Sequence, residues 1–138
     1  MIKILMGPKG TGKTKAFLDM VNNAVDVEMG NVVCVTLNNR HVFDLKSSVR
    51  LINTTEYRLK TYDNLYGFIC GIISGNYDIT HIFIDSLTKI VPIDFEQMDV
   101  LLKHLEELSS EFNVKFTLTV SAPLDDATEN MKGYLAEH

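Results

Sequence analysis

The stretch "GPKGTGKT", Gly7 to Thr14, constrains this 138-residue chain more than any other. Three glycines within six positions cannot sit comfortably inside a strand or a helix, because glycine loses the most conformational freedom when ordered. They suit a tight loop, and the flanks say what the loop joins. Ile2 to Met6 before it is a short apolar run, and after it Ala16, Phe17, Met20, Val21, Ala24 and Val25 recur at helical spacing. The spacing therefore predicts strand, loop, helix. In such a loop Gly7, Gly10 and Gly12 let successive backbone N–H groups converge on an anion, with the helix N-terminus behind them. Lys13 can set a compact positive charge between phosphates, and the Thr14 hydroxyl can complete a Mg²⁺ shell. With average amino-acid usage, the four fixed positions of this pattern arise by chance in well under ~1% of chains this long. Gly7, Pro8, Lys9, Gly10, Thr11, Gly12, Lys13, Thr14 and Lys15 are the expected nucleotide-binding residues.

Beyond the loop, short apolar runs alternate with helical patterns, as in an α/β fold with a mainly parallel sheet of about five strands. The first helix is expected over about Gly12 to Glu28, stopped by "MGN". Strands follow at Val32–Leu37 and, more weakly, Val49–Asn53. A second helix covers about Tyr62 to Ser74, where Gly67 and Gly71 are read as marks of close helix–sheet packing. "HIFID", His81 to Asp85, is the fourth strand. Asp94 and Gln97 form a capping box for a third helix. Val114–Ser121 is the last strand, and an Asp126…Glu129 capping pair introduces a short helix to about Leu135.

"IFID" ends a strand in an acid, which puts Asp85 at the carboxyl edge of the sheet, where open α/β folds bind ligands. Such an aspartate can hold Mg²⁺ through a water opposite Thr14. Loop, strand and acid together resemble the P-loop NTPase superfamily, over most of the chain. The loop is similar to the "GPPGTGKT" of AAA+ ATPases, with Lys9 in place of the second proline. The long separation from loop to "IFID" resembles the RecA/AAA+ division. That resemblance implies a three-layer core in which the final strand "FTLTVS" lies between the other two, and Asp85 as a Walker B aspartate. It also implies a polar γ-phosphate sensor near the end of that strand, at Thr119 or Ser121. The chain further resembles small stand-alone bacterial P-loop proteins labelled twitching-motility ATPase-like, from which only the nucleotide-binding core is carried over. The cofactors implied are ATP, or another nucleoside triphosphate, and Mg²⁺.

The chain departs from the AAA+ pattern at the step that cleaves. Ser86, not a glutamate, follows Asp85, and a serine cannot orient and deprotonate water as a carboxylate can. In RecA-like enzymes the glutamate comes from the end of another strand, and "VRLINTTE" offers Glu56 there as the candidate catalytic residue. Asp63 and Asp94 are weaker candidates, each explained by a helix start. Arg40, Arg50 and Arg58 are the only arginines available as transition-state fingers. Tyr57, Tyr62 and Tyr66 are read as packing residues ahead of a base-stacking face.

Composition narrows the rest. A formal charge of −5 argues against a large footprint for nucleic acid or anionic lipid. No apolar run reaches the roughly 18 residues of a membrane span, and the start does not read as a signal peptide. Cys34 and Cys70 match no metal or redox spacing and read as small buried hydrophobes in a reducing cytosol. The expectation is one cytoplasmic domain, residues 1–138, without a lid. It binds ATP and Mg²⁺ and hydrolyses ATP slowly or only with a protein partner or a second copy. An inert nucleotide-binding sensor or partner module, and a small metabolite or nucleoside phosphotransferase, are the alternatives. No "NKxD" occurs to read guanine.

Overall fold

The computed structural model describes all residues, 1–138. Five strands, β1 (Ile2–Gly7), β2 (Asn31–Thr36), β3 (Arg50–Asn53), β4 (Ile79–Ile84) and β5 (Lys115–Ser121), form one sheet. Every pairing is parallel, in the order β1-β5-β4-β2-β3. The helices are α1 (Lys13–Val27), α2 (Tyr62–Gly75), the single-turn α3 (Leu87–Ile90), α4 (Phe95–Phe112) and the short α5 (Glu129–Lys132). The last strand does lie between the first and the fourth.

This order decides which helix covers which face. Parallel crossovers are right-handed in nearly all cases, so a connection that moves one way across the sheet uses one face and its reverse uses the other. From β1 to β2 the chain moves three places along the sheet, and that crossover is α1. The connections through α2 and α4 return in the opposite direction and cover the other face. The core divides accordingly. Leu5, Cys34 and Phe83 pack with Phe17, Val21 and Ala24 of α1. Their strand neighbours Ile4, Met6, Val33, Val35, Ile82 and Ile84 pack with α2 and α4 through Leu65, Ile69, Leu101 and Leu105. Alternation with period two sends these two sets to opposite faces. The Phe17 and Phe83 rings meet edge to face, 5.7 Å apart, an arrangement favoured by the aromatic quadrupole.

Local signals explain most boundaries. Asp94 caps α4 by accepting from the Gln97 N–H at 3.1 Å, while the Gln97 amide donates back to its carboxylate at 2.9 Å. Thr61 caps α2 through the Asn64 N–H, and Asn113, left-handed at φ 57°, closes α4. Three expectations need correction. The last helix is capped by Thr128, not Asp126, and spans only Glu129–Lys132. Beyond it Leu135 is extended rather than helical, because Tyr134 and Ala136 hydrogen-bond to Ile4 and cover the outer edge of β1. Gly67 and Gly71 lie on the exposed face of α2, and a Cβ at either would touch nothing. They mark no close packing. Gly67→Ala and Gly71→Ala are each expected to raise stability by about 0.5–1 kcal/mol, because alanine removes glycine's entropic cost within a helix. Chemical denaturation of the two variants measures this.

Cys34 is buried, and burial raises its thiol pKa far above the ordinary value, with the Asp85 charge adding to the rise. Cys70 is only half-buried, on α2. No helix is long and apolar enough to cross a membrane.

Candidate functional site

Because all strands are parallel, their carboxyl ends meet along one edge, and four of the segments that leave this edge converge. The loop after β1 brings Lys9 to Thr14, β5 ends at Thr119 and Ser121, and β4 runs into Asp85. The chain after β2 brings Arg40. Together they enclose a cavity of about 250 Å³, also lined by Ser86 and Lys89, with no hydrophobic side chain in its wall.

The glycine-rich loop has the backbone that its residues call for. Gly10 and Gly12 sit at φ 87° and 83°, the left-handed region that L side chains rarely adopt. Gly12 stands at the N-cap of α1, and no side chain caps that helix and no acid occupies its first turn. The helix therefore presents its N-terminal N–H groups toward the cavity wall. A Cβ on Gly7 would stand 2.8 Å from the Thr11 hydroxyl, which itself donates to the Pro8 carbonyl at 2.8 Å. That contact holds the loop closed on itself.

Lys13 folds back over the loop, and its ammonium donates to the Pro8 carbonyl at 3.0 Å. The residue is only 7% exposed. Burial holds the ammonium below the usual lysine pKa; the Asp85 carboxylate pulls it up again, and Lys89 adds to the fall. Lys13, Lys9, Arg40 and Lys89 set four cations around the cavity against one carboxylate. A small, polar, positively lined cavity suits a compact anion.

That carboxylate, Asp85, is buried and closely held. Its Oδ1 accepts from the Thr119 hydroxyl at 3.1 Å and from the Ser86 hydroxyl at 3.3 Å. Its Oδ2 lies 3.3 Å from His41 Nε2 and 3.6 Å from Arg40 Nη2. Ser86 adopts φ 54°, a left-handed geometry that costs a non-glycine residue roughly 1–2 kcal/mol. Its N–H donates to Thr119 Oγ1 at 2.6 Å. The strain at Ser86 thus coincides with a hydrogen-bonded frame for the acid before it.

The structure brings the expected residues together unevenly. Lys9, Gly10, Gly12, Lys13, Thr14, Asp85, Thr119 and Ser121 all line the cavity. Gly7, Pro8 and Thr11 belong to the loop but not to the cavity wall, and Lys15 points along α1 to Asp19 at 3.3 Å, largely in solvent. Thr119 spends its hydroxyl on Asp85 and Ser86, so of the two sensor candidates Ser121 is the freer. It stands in register beside Gly7, at the start of the loop. Glu56 is not brought in. It is exposed on the 3-10 turn Thr54–Tyr57 after β3, the edge strand farthest from β1, and takes no part in the cavity wall. Asp63 sits in the first turn of α2 and Asp94 caps α4. Arg50 lies on the edge strand, and Arg58 follows the 3-10 turn. The tyrosines pack as expected: Tyr57 against Phe68, Tyr66 against His104, and Tyr62 with its hydroxyl donating to the Pro92 carbonyl at 2.7 Å.

Two residues at the site escape sequence reasoning. His41 is buried between Asp85 and Asp44, with Nδ1 at 3.4 Å from the Asp44 carboxylate, and Arg40 Nε donates to its Nε2 at 3.0 Å. Lys89 stands on α3, one helical turn past Asp85. The signal for His41 was the "NNRH" turn after the second strand. It becomes a signal only once β2 is known to lie beside β4. Neither a family model nor a curated protein matches this chain, so the reading of the site rests on its own residues.

Proposed function

We propose that this chain is a P-loop nucleotide-binding protein that holds a nucleoside triphosphate with Mg²⁺ at the carboxyl edge of its sheet. Hydrolysis by the chain alone is slow, or depends on a partner. One observation carries the reading: a loop with left-handed glycines at 10 and 12 opens α1 and faces the buried Asp85 across a single intervening strand. The cavity fits the group on its own chemistry. Four cations and the free end of a helix answer a polyphosphate, while about 250 Å³ without apolar walls leaves no slot for a base. The phosphates are the part recognised, and discrimination between adenine and guanine is expected to be weak.

In this reading the loop N–H groups and Lys13 bind the phosphates. Thr14 and Asp85 would hold the metal, Mg²⁺ supplying charge neutralisation. Thr119 and Ser86 orient the Asp85 carboxylate by donating to one of its oxygens. The second reading, an inert nucleotide-binding module, is favoured by one fact: Asp85 is the only carboxylate in the cavity wall.

Titration with ATP, ADP and GTP, with and without Mg²⁺, followed by a long-incubation phosphate-release assay, tests both. Triphosphate binding strengthened by Mg²⁺ is expected, and no binding by any of the three would sink the assignment. Asp85→Asn should cost about tenfold in the Mg²⁺-dependent part of the affinity, the loss of one charged contact, and leave metal-free binding nearly intact. Asparagine keeps an oxygen for Thr119, so the frame survives. An equal loss with and without Mg²⁺ would make Asp85 a structural residue.

A further inference from the structure

We propose that Arg40 reads the terminal phosphate of a bound triphosphate, and that its contact with Asp85 is the resting position from which it does so. The inference rests on the nucleotide-site reading above and adds what tells a triphosphate from a diphosphate.

Three observations converge on this residue. The first is place. Arg40 arrives on the chain segment after β2, on the far side of β4 from β1, whereas Lys13 arrives from β1. Asp85 lies between them, so the two cations reach the cavity from its two ends. A ligand that fills the cavity from the glycine-rich loop outward meets Arg40 last.

The second is how loosely it is held. Arg40 Nη2 stands 3.6 Å from Asp85 Oδ2, an ion pair beyond hydrogen-bond range. Its only side-chain hydrogen bond runs from Nε to His41 at 3.0 Å. The side chain is 46% exposed, while His41 beside it is 8% exposed. The planar fork of the guanidinium is left without a partner that matches it, and a phosphate presents such a partner.

The third is competition. Asp85 Oδ2 faces both Arg40 and His41, and Oδ1 is taken by Thr119 and Ser86. A metal shell that claims Oδ2 deprives Arg40 of its anion while the phosphate chain supplies another. His41, buried and braced by Asp44, stays as the pivot. Metal capture by Asp85 and phosphate capture by Arg40 are therefore linked.

The test is calorimetric titration of ATP and of ADP into wild type, Arg40→Ala and Arg40→Gln, each with Mg²⁺ and with EDTA. With Mg²⁺ both variants should lose about tenfold or more in ATP affinity, the worth of a charged hydrogen-bonded contact, and hold ADP affinity within about twofold. Retained ADP binding shows that the variants are folded. In EDTA the wild type should lose most of its preference for ATP over ADP, since Arg40 then remains on Asp85. Equal losses for ATP and ADP, or no loss for either, would overturn the role of Arg40 while leaving the nucleotide site standing. A wild-type preference that survives EDTA unchanged would overturn the resting position. Failure of both nucleotides to bind wild type would overturn this inference and the site reading together.

Discussion

Lys13→Ala is expected to reduce triphosphate affinity by about 10²–10³-fold, the range for truncating one member of a desolvated charge pair. Lys9, Arg40 and Lys89 also line the cavity, but none of them opens α1, and Lys9, the other lysine of the loop, is exposed where Lys13 is buried. In the free chain the Lys13 ammonium is held against the Pro8 carbonyl, and burial already disfavours its charged form. Removing it therefore takes away little that stabilises the fold. What is lost is the packing of the aliphatic stem, worth about 1 kcal/mol. Thermal denaturation should move by only a few degrees while titration with ATP and Mg²⁺ shows almost no heat. A variant that binds the triphosphate as tightly as wild type would remove the P-loop reading.

How much of this site could be read in advance depended on how local its causes are. The glycine-rich loop is a local statement: strand, loop and helix are contiguous, and left-handed φ at residues 10 and 12 demands glycine wherever the chain goes next. Asp85 was nearly as legible, because an acid closing a β-branched and aromatic run such as "IFI" reads as the end of a buried strand. The resemblance to RecA/AAA+ proteins carried the strand order, which no run of residues states by itself. Arg40 and His41 become site residues through β2 lying against β4, a fact of topology. Glu56 shows the converse. It lies just past a strand, as expected, but that strand is at the opposite edge of the sheet from β1, two places beyond β4, and the same topology keeps it away. Gly67 and Gly71 looked like packing glycines because spacing alone cannot tell which face of a helix they share. The register between Ile4 and Leu135 was illegible for a related reason, since a short apolar stretch near the terminus reads equally as a helix turn or as an edge cover.

Phosphate release by the isolated chain is expected on the order of 10⁻³ s⁻¹ or below, the range of an intrinsic switch GTPase. Binding that holds ground state and transition state equally well does not accelerate cleavage. Acceleration needs a group that orients the attacking water and takes its proton, and the cavity wall holds no free one. Asp85, its only carboxylate, accepts from Thr119 and Ser86 at Oδ1 and pairs with Arg40 at Oδ2, and in the reading above it holds the metal. Ser86 donates its hydroxyl to Asp85 and so has no basic role to play. Arg40 and Lys89 can compensate charge but cannot accept a proton. Glu56, the carboxylate suggested by sequence, stands on the far edge of the sheet. Glu56→Gln should therefore leave both binding and the residual rate unchanged in a single-turnover assay with ATP and Mg²⁺. A drop in rate with intact binding would mean that the turn after β3 moves onto the cavity when the triphosphate is bound. A wild-type turnover near ~10 s⁻¹, ordinary for an evolved enzyme, would require a water-orienting group among residues that the free structure keeps outside the cavity. A slow basal rate that a second protein raises would instead place that group on the partner, as arginine fingers supplied in trans do for charge.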